Sequence, residues 1–450
     1  MIKNEIVRLE ITDVTAEGLG VGRYEGMAVF VSDTAIGDII DAKIVKVKSS
    51  YAYAIIDSIV KPSCDRVSPD CKHSKQCGGC VFRHISYEAE LQIKQRRVRE
   101  ALKRIAGVDI PCGGIIGAKS PDEYRNKTQF PFAATYETGF FARHSHRVIP
   151  VNSCKLIPDV FNKIALCVCE FCREFSISVY DENTGGGLLR HLYIRKGEQT
   201  NEIMVVLIIA DTTLPKADIL ANRLKQLLGE SLKSFQININ TNRTNVILGD
   251  KNKVIYGLPY ITDILCGVKV RLSPFTFYQV NHDMAERLYQ KVAEYANPKD
   301  KSVIDLFCGA GTIGLSMAKR AKKIIGVEIV PEAIEDAKTN AKENNIANAE
   351  FICGDAAKAA ETLKAQGKHA DVIILDPPRK GCESELLHTI ANDFAPERIV
   401  YVSCDPGTLA RDIKILVSLG FSPQEYTVFD MFPRTAHVET VCLMSRVEGK

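Results

Sequence analysis

From residue 261 to residue 450 the chain alternates strand-like and helix-like segments almost without interruption. Strands are predicted at 302–307, 323–328, 349–353, 371–375, 398–403, 424–430 and 438–444. Helical spacing fills the gaps, at about 281–296, 312–320, 331–344, 356–366, 384–393 and 407–419. Short apolar strands separated by helices require crossover connections. The predicted fold class is therefore α/β, with a doubly wound, mostly parallel, Rossmann-like sheet. In such a sheet ligands bind beyond the carboxyl ends of the strands, so the strand-end residues are where chemistry is sought.

The first strand ends Asp305-Leu306-Phe307-Cys308-Gly309-Ala310-Gly311-Thr312. Gly309, Gly311 and Gly314 fit the dinucleotide pattern GxGxxG, so the glycines alone do not choose the ligand. An acidic residue leading the loop argues against a phosphate and for a cationic ligand. S-adenosylmethionine (SAM) carries an ammonium and a sulfonium and no phosphate. Glu328, at the end of the second strand, suits bidentate bonding to ribose hydroxyls, and Asp355, ending the third, is placed by the adenine. The fourth strand ends in the stiff step Asp376-Pro377-Pro378-Arg379, which projects Asp376 at the mouth of the site. It resembles the step of amino-group methyltransferases, but Arg379 stands where those have an aromatic residue.

The fifth strand ends Ser403-Cys404-Asp405-Pro406. Asp405 can serve as N-cap and Pro406 as first helical residue, which leaves Cys404 beside the positive end of a helix dipole. That position is expected to lower the thiol pKa. Methylation of uracil carbon-5 needs such a thiol, because that carbon becomes nucleophilic only after a thiolate adds to carbon-6. The carbon-5 proton must then leave, so a general base is required. Glu439, in His437-Val438-Glu439-Thr440, is the better candidate, since its pocket can raise its pKa; His437 would hold geometry. Any one of these residues alone reads equally as a surface carboxylate or a core cysteine. It is their succession at strand ends that points to a site.

Residues 1–60 carry about five short apolar runs punctuated by Gly18, Gly20, Gly22, Gly26 and Gly37, the pattern of a small OB-like barrel. Lys43, Lys46 and Lys48 share a strand face, read either as a solvated edge or as a contact surface. Residues 61–260 form a central α+β segment, with strands expected near 128–134, 147–151, 203–209 and 234–240. It opens on Cys64, Cys71, Cys77 and Cys80. Two glycines between Cys77 and Cys80 let the backbone wrap closely round a bound group. Three close cysteines and one distant one suit an iron–sulfur cluster better than zinc, which more often shows two short-spaced pairs. Cys154 is chosen as the fourth ligand, with Cys64 and Cys112 as competitors. Residues 87–106 read as a basic helix with Leu91, Val98, Leu102 and Ile105 on its apolar face. It faces either phosphates or solvent, and the segment 87–112 can belong with the catalytic part. The cluster Cys167, Cys169 and Cys172 repeats at helical spacing among Phe161, Ile164 and Phe175 and is assigned to a core. Arg125, Lys127, Arg143 and Arg190 are candidates to touch RNA.

Bulk composition excludes some classes. No apolar run approaches a membrane span, and the N-terminus lacks the apolar core of a signal peptide, so a cytoplasmic protein without membrane partners is expected. There, 15 cysteines serve metal binding, catalysis or burial rather than a disulfide framework. A net charge of +3 is too small to argue for nucleic acid by itself.

Ser403-Cys404-Asp405-Pro406, Asp376-Pro377-Pro378-Arg379, Asp430-Met431-Phe432-Pro433 and His437-Val438-Glu439 together resemble the RNA uracil-5-methyltransferase family, as does Gln279-Val280-Asn281 preceded by Ser273-Pro274-Phe275. The cysteine spacing and a barrel similar to a TRAM domain resemble its 23S rRNA branch. The resemblance spans essentially the whole chain and implies roles by position. Cys404 would be nucleophile and Glu439 base. Gln279, Phe307, Glu328 and Asp376 would contact SAM, beside Asp305, Gly309 and Asp355 from the strand-end reading. Cys71, Cys77, Cys80 and Cys154 would ligate a [4Fe–4S] cluster. The partner would be RNA, 23S rRNA first and tRNA as the alternative, with no DNA, and the chain a monomer. The target base must leave its stack to be reached. A different class, an iron–sulfur or dinucleotide-dependent redox protein, is the rival.

Overall fold

The computed structural model describes residues 1–143 and 145–447. Its C-terminal part is an eight-stranded sheet in the order Ala349–Cys353, Lys323–Glu328, Ser302–Leu306, Val372–Leu375, Arg398–Ser403, Glu439–Arg446, Phe421–Phe429, Cys112–Ile116. The first five strands are parallel, and Glu439–Arg446 is inserted antiparallel between Arg398–Ser403 and Phe421–Phe429. Their central members are runs of Val, Ile and Leu buried on both faces, as a sheet covered by helices on both sides requires. The covering helices start on built caps. Asn281 accepts from the Met284 amide, Asp355 from Ala357 and Lys358, and Asp405 from Gly407 and Thr408.

The eighth strand comes from far upstream. Cys112–Ile116 runs parallel to Phe421–Phe429, and helix Tyr87–Ala101 leads into it. That helix ends in a wide π turn at Leu102–Ala106 and then Gly107 at φ 72°. The wide turn rotates the apolar stripe: Val98 and Leu102 are buried, but Ile105 is exposed rather than on the buried face. Lys94, expected on the basic face, lies buried beneath it between Glu90 and Asp430.

The central five-stranded sheet runs Lys251–Gly257, Leu232–Ile239, Ile203–Ile209, Leu189–Lys196, Lys127–Pro131. Helices Asp159–Glu174 and Ala217–Leu228 cover one face, with Cys169 and Cys172 buried among Phe161 and Phe171. On the other face Tyr193, Met204, Val206 and Ile208 share a core with helix His282–Ala296 and the hairpin of Ile261–Leu265 and Val268–Leu272. Two of these strands break sequence expectation. Leu189–Lys196 carries four basic or imidazole side chains, yet its interior is buried. Arg190 donates to the Asn240 and Asn242 carbonyls, and Arg195 to those of Ser273 and Thr276. Lys251–Gly257 is a polar, mostly exposed edge strand with no apolar alternation to announce it.

Residues 6–61 form a six-stranded sheet curled round Val7, Leu9, Val29, Val31, Ile40 and Ile44. A bulge between Ile44 and Lys46 explains the uneven spacing of Lys43, Lys46 and Lys48, because it returns all three to the outward face. Among the described residues no helix is long and apolar enough to cross a membrane.

Candidate active site

Beyond the carboxyl ends of the parallel strands lies a cleft of about 1230 Å³. Gln279, Phe307, Gly309, Glu328, Asp355, Asp376, Cys404 and Glu439 all line it. So do Arg125, Phe275, Phe277, Arg379, Phe432 and His437. Residues as far apart in the chain as Arg125 and Glu439 thus meet at one opening.

The glycine loop is held from below and from the side. Phe307 and Gly309 have φ of 69° and 55°, and a Cβ added at Gly309 would meet nothing within 4 Å, so the loop presents bare backbone to the cleft. Glu328 Oε2 accepts from the Gly309 amide at 3.1 Å and Oε1 from the Val330 amide at 3.0 Å. Asp305 departs from expectation. It is fully buried and does not line the cleft; its Oδ2 accepts from the Gly314 amide at 3.1 Å and thereby shapes the loop. Burial and the Asp376 charge push Asp305 up to about 8. Asp355 lines the cleft while its Oδ1 is spent capping the helix that follows.

The other half of the cleft holds the thiol. Arg398–Ser403 ends as predicted and the helix Pro406–Ser418 begins as predicted, but the expected activation of Cys404 is absent. Burial, followed by the charge of Glu439, pushes the Cys404 thiol up to about 11, and Arg379 offsets this only in part. Asp405 Oδ1 accepts from the Gly407 and Thr408 amides at 2.9 Å each, so those two amides are spent on the cap. Glu439 is buried, and burial with the Asp376 charge raises its pKa well above the carboxylate range. Burial alone pushes Asp376 up to about 7. His437 moves the other way, down to about 4, through burial and the nearby Arg379. Its Nδ1 lies 3.2 Å from Arg379 Nη2, and its ring stands edge-on to Phe432 at 5.9 Å.

Of the arginines proposed to touch RNA, only Arg125 reaches the cleft. Arg190 is buried on carbonyls, and Arg143 is tied to Asp33 and to the Ser74 and Cys80 carbonyls. Sequence reasoning passed over Phe277, which is 69% exposed at the cleft wall. The signal was available, since an aromatic residue in a turn with polar neighbours has no core to fill.

Among the described residues no group of three or more His, Cys, Asp or Glu side chains is arranged to hold a metal ion. Cys71, Cys77, Cys80 and Cys154 nevertheless lie in one neighbourhood. Cys154 feels the charges of Cys77 and Cys71, and Cys80 those of Cys154 and Cys77. Cys64 and Cys112 are exposed elsewhere on the surface.

Residues 86–447 match the family described as tRNA (Uracil-5-)-methyltransferase, and residues 3–56 match the TRAM domain. The chain belongs to the tRNA (uracil-5-)-methyltransferase family. This RNA methyltransferase is 41% identical over 447 residues to a protein of Clostridium tetani named as an uncharacterized RNA methyltransferase, covering 98% of this chain and 97% of that one. A namesake from Halalkalibacterium halodurans is 42% identical over 447 residues, with the same coverage. Among solved structures, the Pyrococcus abyssi tRNA (uracil-54, C5)-methyltransferase in complex with S-adenosyl-L-homocysteine superposes with a TM-score of 0.79 at 28% identity. That likeness covers 97% of this chain and 99% of the other. The uracil-5-methyltransferase match begins at residue 86, so it takes in the helix and the eighth strand that the sheet borrows from upstream.

Proposed function

We propose that the chain methylates carbon-5 of a uridine in RNA, with 23S rRNA as the target class. The observation that carries this is the meeting of Cys404 and Glu439 in one cleft whose opposite wall is a glycine loop and carboxylates. A wall carrying Glu328 and Asp376 suits a ligand bearing an ammonium and a sulfonium. Gln279, Phe307, Gly309, Glu328, Asp355 and Asp376 would hold it. SAM, when bound, supplies an electrophilic methyl group. Every other step belongs to the chain. The Cys404 thiolate adds to uracil carbon-6, forming a C–S bond and moving the electron pair into an enolate. Carbon-5 would then take the methyl, whose bond to the sulfonium breaks to leave a neutral thioether. Glu439 removes the carbon-5 proton, the double bond re-forms, and the C–S bond breaks to return the thiolate. A base with a raised pKa suits that proton, and burial supplies the raise.

The cysteines support a [4Fe–4S] cluster by the chemistry of their donor set: thiols alone, brought together from a Gly-rich loop and from Cys154. A cluster holds its thiolates farther apart than a single ion does, so an arrangement that fits no lone ion is compatible with it. Cys71, Cys77, Cys80 and Cys154 would ligate it, as a structural element near Arg125. On this reading residues 1–60 grip RNA, residues 61–260 carry the cluster, and residues 261–450 do the chemistry with help from the segment after residue 86.

A tRNA target is the second reading, favoured by the likeness to the Pyrococcus abyssi enzyme. Mapping 5-methyluridine in rRNA and tRNA from a deletion strain separates the two. Loss from 23S rRNA is expected. Loss from tRNA alone would replace the rRNA reading, and no loss from either would end both.

A further inference from the structure

The barrel turns its side chains the wrong way round for folding alone. Along Tyr51–Lys61, Ala52 and Ala54 face the core while Tyr51 and Tyr53 face out. Along Met27–Val31, Val29 and Val31 face in while Phe30 faces out. Hydrophobic burial favours the reverse, with large rings inside and small residues outside. The three outward rings cover one another and no core. Phe30 lies 5.5 Å from Tyr51 and 5.8 Å from Tyr53, and the two tyrosines are 5.5 Å apart, edge-on.

Strand register places cations beside them. Lys46 pairs with Tyr53, and Tyr53 pairs on its other side with Phe30, so the three form one row across three strands. The Lys48 amide donates to the Tyr51 carbonyl at 2.8 Å, which sets Lys48 opposite Tyr51 at the strand ends. Both lysines are exposed and neither forms an ion pair within the described residues. Ile55, 50% exposed, extends the row on the same face.

The patch also connects to the cleft. Glu17 lies close enough for its charge to act on the Tyr53 hydroxyl and on Arg97. Arg97 Nη1 donates to the Ala16 carbonyl of the barrel at 3.3 Å and to the Ala436 carbonyl at 2.8 Å. Ala436 precedes His437, which lines the cleft. Glu17 and Arg97 thus link the ring patch to the segment that carries His437.

We infer that Phe30, Tyr51 and Tyr53, flanked by Lys46 and Lys48, form a stacking platform for the single-stranded RNA that flanks the target uridine. Rings take bases without regard to sequence, and the lysines take the intervening phosphates. The inference rests on the RNA reading above and adds to it where the flanking nucleotides lie. It also gives the outward lysines a role that a solvated edge lacks.

The test uses the full-length chain and a fluorescein-labelled, mixed-sequence single-stranded RNA of about 20 nucleotides, longer than the roughly 4–16 that one such barrel covers. Fluorescence anisotropy gives the affinity, and calorimetry with SAM reports whether the cleft is intact. Tyr51→Ala/Tyr53→Ala is expected to bind RNA on the order of tenfold or more weakly, while SAM affinity is unchanged. Tyr51→Phe/Tyr53→Phe keeps the rings and is expected to bind as wild type. Lys46→Gln/Lys48→Gln should flatten the dependence of log affinity on log salt by about 1.4, or roughly 0.7 per phosphate contact. Unchanged RNA affinity in a Tyr51→Ala/Tyr53→Ala protein that still binds SAM overturns the platform and leaves the patch to some other occupant. Failure of the wild type to bind SAM would instead sink the methyltransferase reading, with the RNA comparison still readable.

Discussion

Lys94→Met probes how the cleft is braced. Lys94 is 1% exposed, and its Nζ donates to Glu90 at 2.7 Å, Asp430 at 2.6 Å and the Phe432 carbonyl at 3.2 Å. Asp430 is completed by the Tyr87 hydroxyl at 2.7 Å, and Glu90 by the Arg434 amide at 2.7 Å. Methionine keeps the stem and removes the charge, leaving Glu90 with Arg434 at 3.6 Å and Asp430 with no ion pair among the described residues. Removing one partner of a buried ion pair costs about 3–5 kcal/mol. At about 2–4 °C per kcal/mol for a unit of this size, the C-terminal melting transition should fall by roughly 6–20 °C. The sign with pH follows from the carboxylates. Burial already pushes Glu90 up to about 7 in the intact triad, and losing Lys94 raises it further. Below about pH 7 Glu90 is protonated in both folded proteins, so the deficit relative to wild type grows as pH rises above about 7. Differential scanning calorimetry across pH reads both effects. Because Phe432 lines the cleft, SAM affinity should fall too. Lys94→Met/Glu90→Gln/Asp430→Asn removes the stranded charges and should recover part of the stability. A loss below about 1 kcal/mol in Lys94→Met, the range of an exposed pair, would refute the argument.

Cys404→Ala is expected to abolish both turnover and the covalent complex with 5-fluorouridine RNA on a denaturing gel; residual full activity would remove it as nucleophile. Glu439→Gln should accumulate the methylated protein–RNA adduct, since the C–S bond cannot break until the carbon-5 proton leaves, and wild-type turnover would assign the base elsewhere. The pH profile follows from the raised Cys404 and Glu439: both work only deprotonated, so kcat/KM should keep climbing with pH through the alkaline range, toward about 11. His437, held near 4, is neutral throughout and adds no falling limb, so a bell centred near neutrality would contradict these assignments. Anaerobically prepared protein should contain about four irons and four sulfides per chain, lost in Cys154→Ala and kept in Cys64→Ala and Cys112→Ala; zinc without sulfide would refute the cluster.

The strand-end arrangement was readable because it depends on local signals that tertiary structure seldom overrides. Asp405-Pro406 caps and starts a helix wherever it lies, and Val, Ile and Leu runs between helices fix the parallel sheet. What escaped the sequence was long-range or inverted. Nothing in Cys112-Gly113-Gly114-Ile115-Ile116 announces a strand that pairs with residues more than 300 positions away, at Tyr426 to Phe429. Leu189–Lys196 looked too polar for a buried strand because Arg190 and Arg195 find carbonyls from distant loops. Lys94 looked like one more surface cation on a basic helix, and only the fold brings Asp430 over it.

Cys404 shows why a local rule can name a residue and still mistake its electrostatics. A thiol beside a helix N-terminus is ordinarily favoured as thiolate. Here burial comes first, and the charges of Glu439 and Asp376 add to it at the same sulfur. Arg379 is the one cation whose charge opposes them at Cys404. Asp376, one of those carboxylates, is on the wall proposed to receive a cationic methyl donor. A ligand that brings positive charge to Asp376 would cancel part of the field at Cys404 and make the thiolate easier to form. On that reading the rate at which an alkylating reagent modifies Cys404 should rise when the methyl donor is added, and an unchanged rate would refute the coupling.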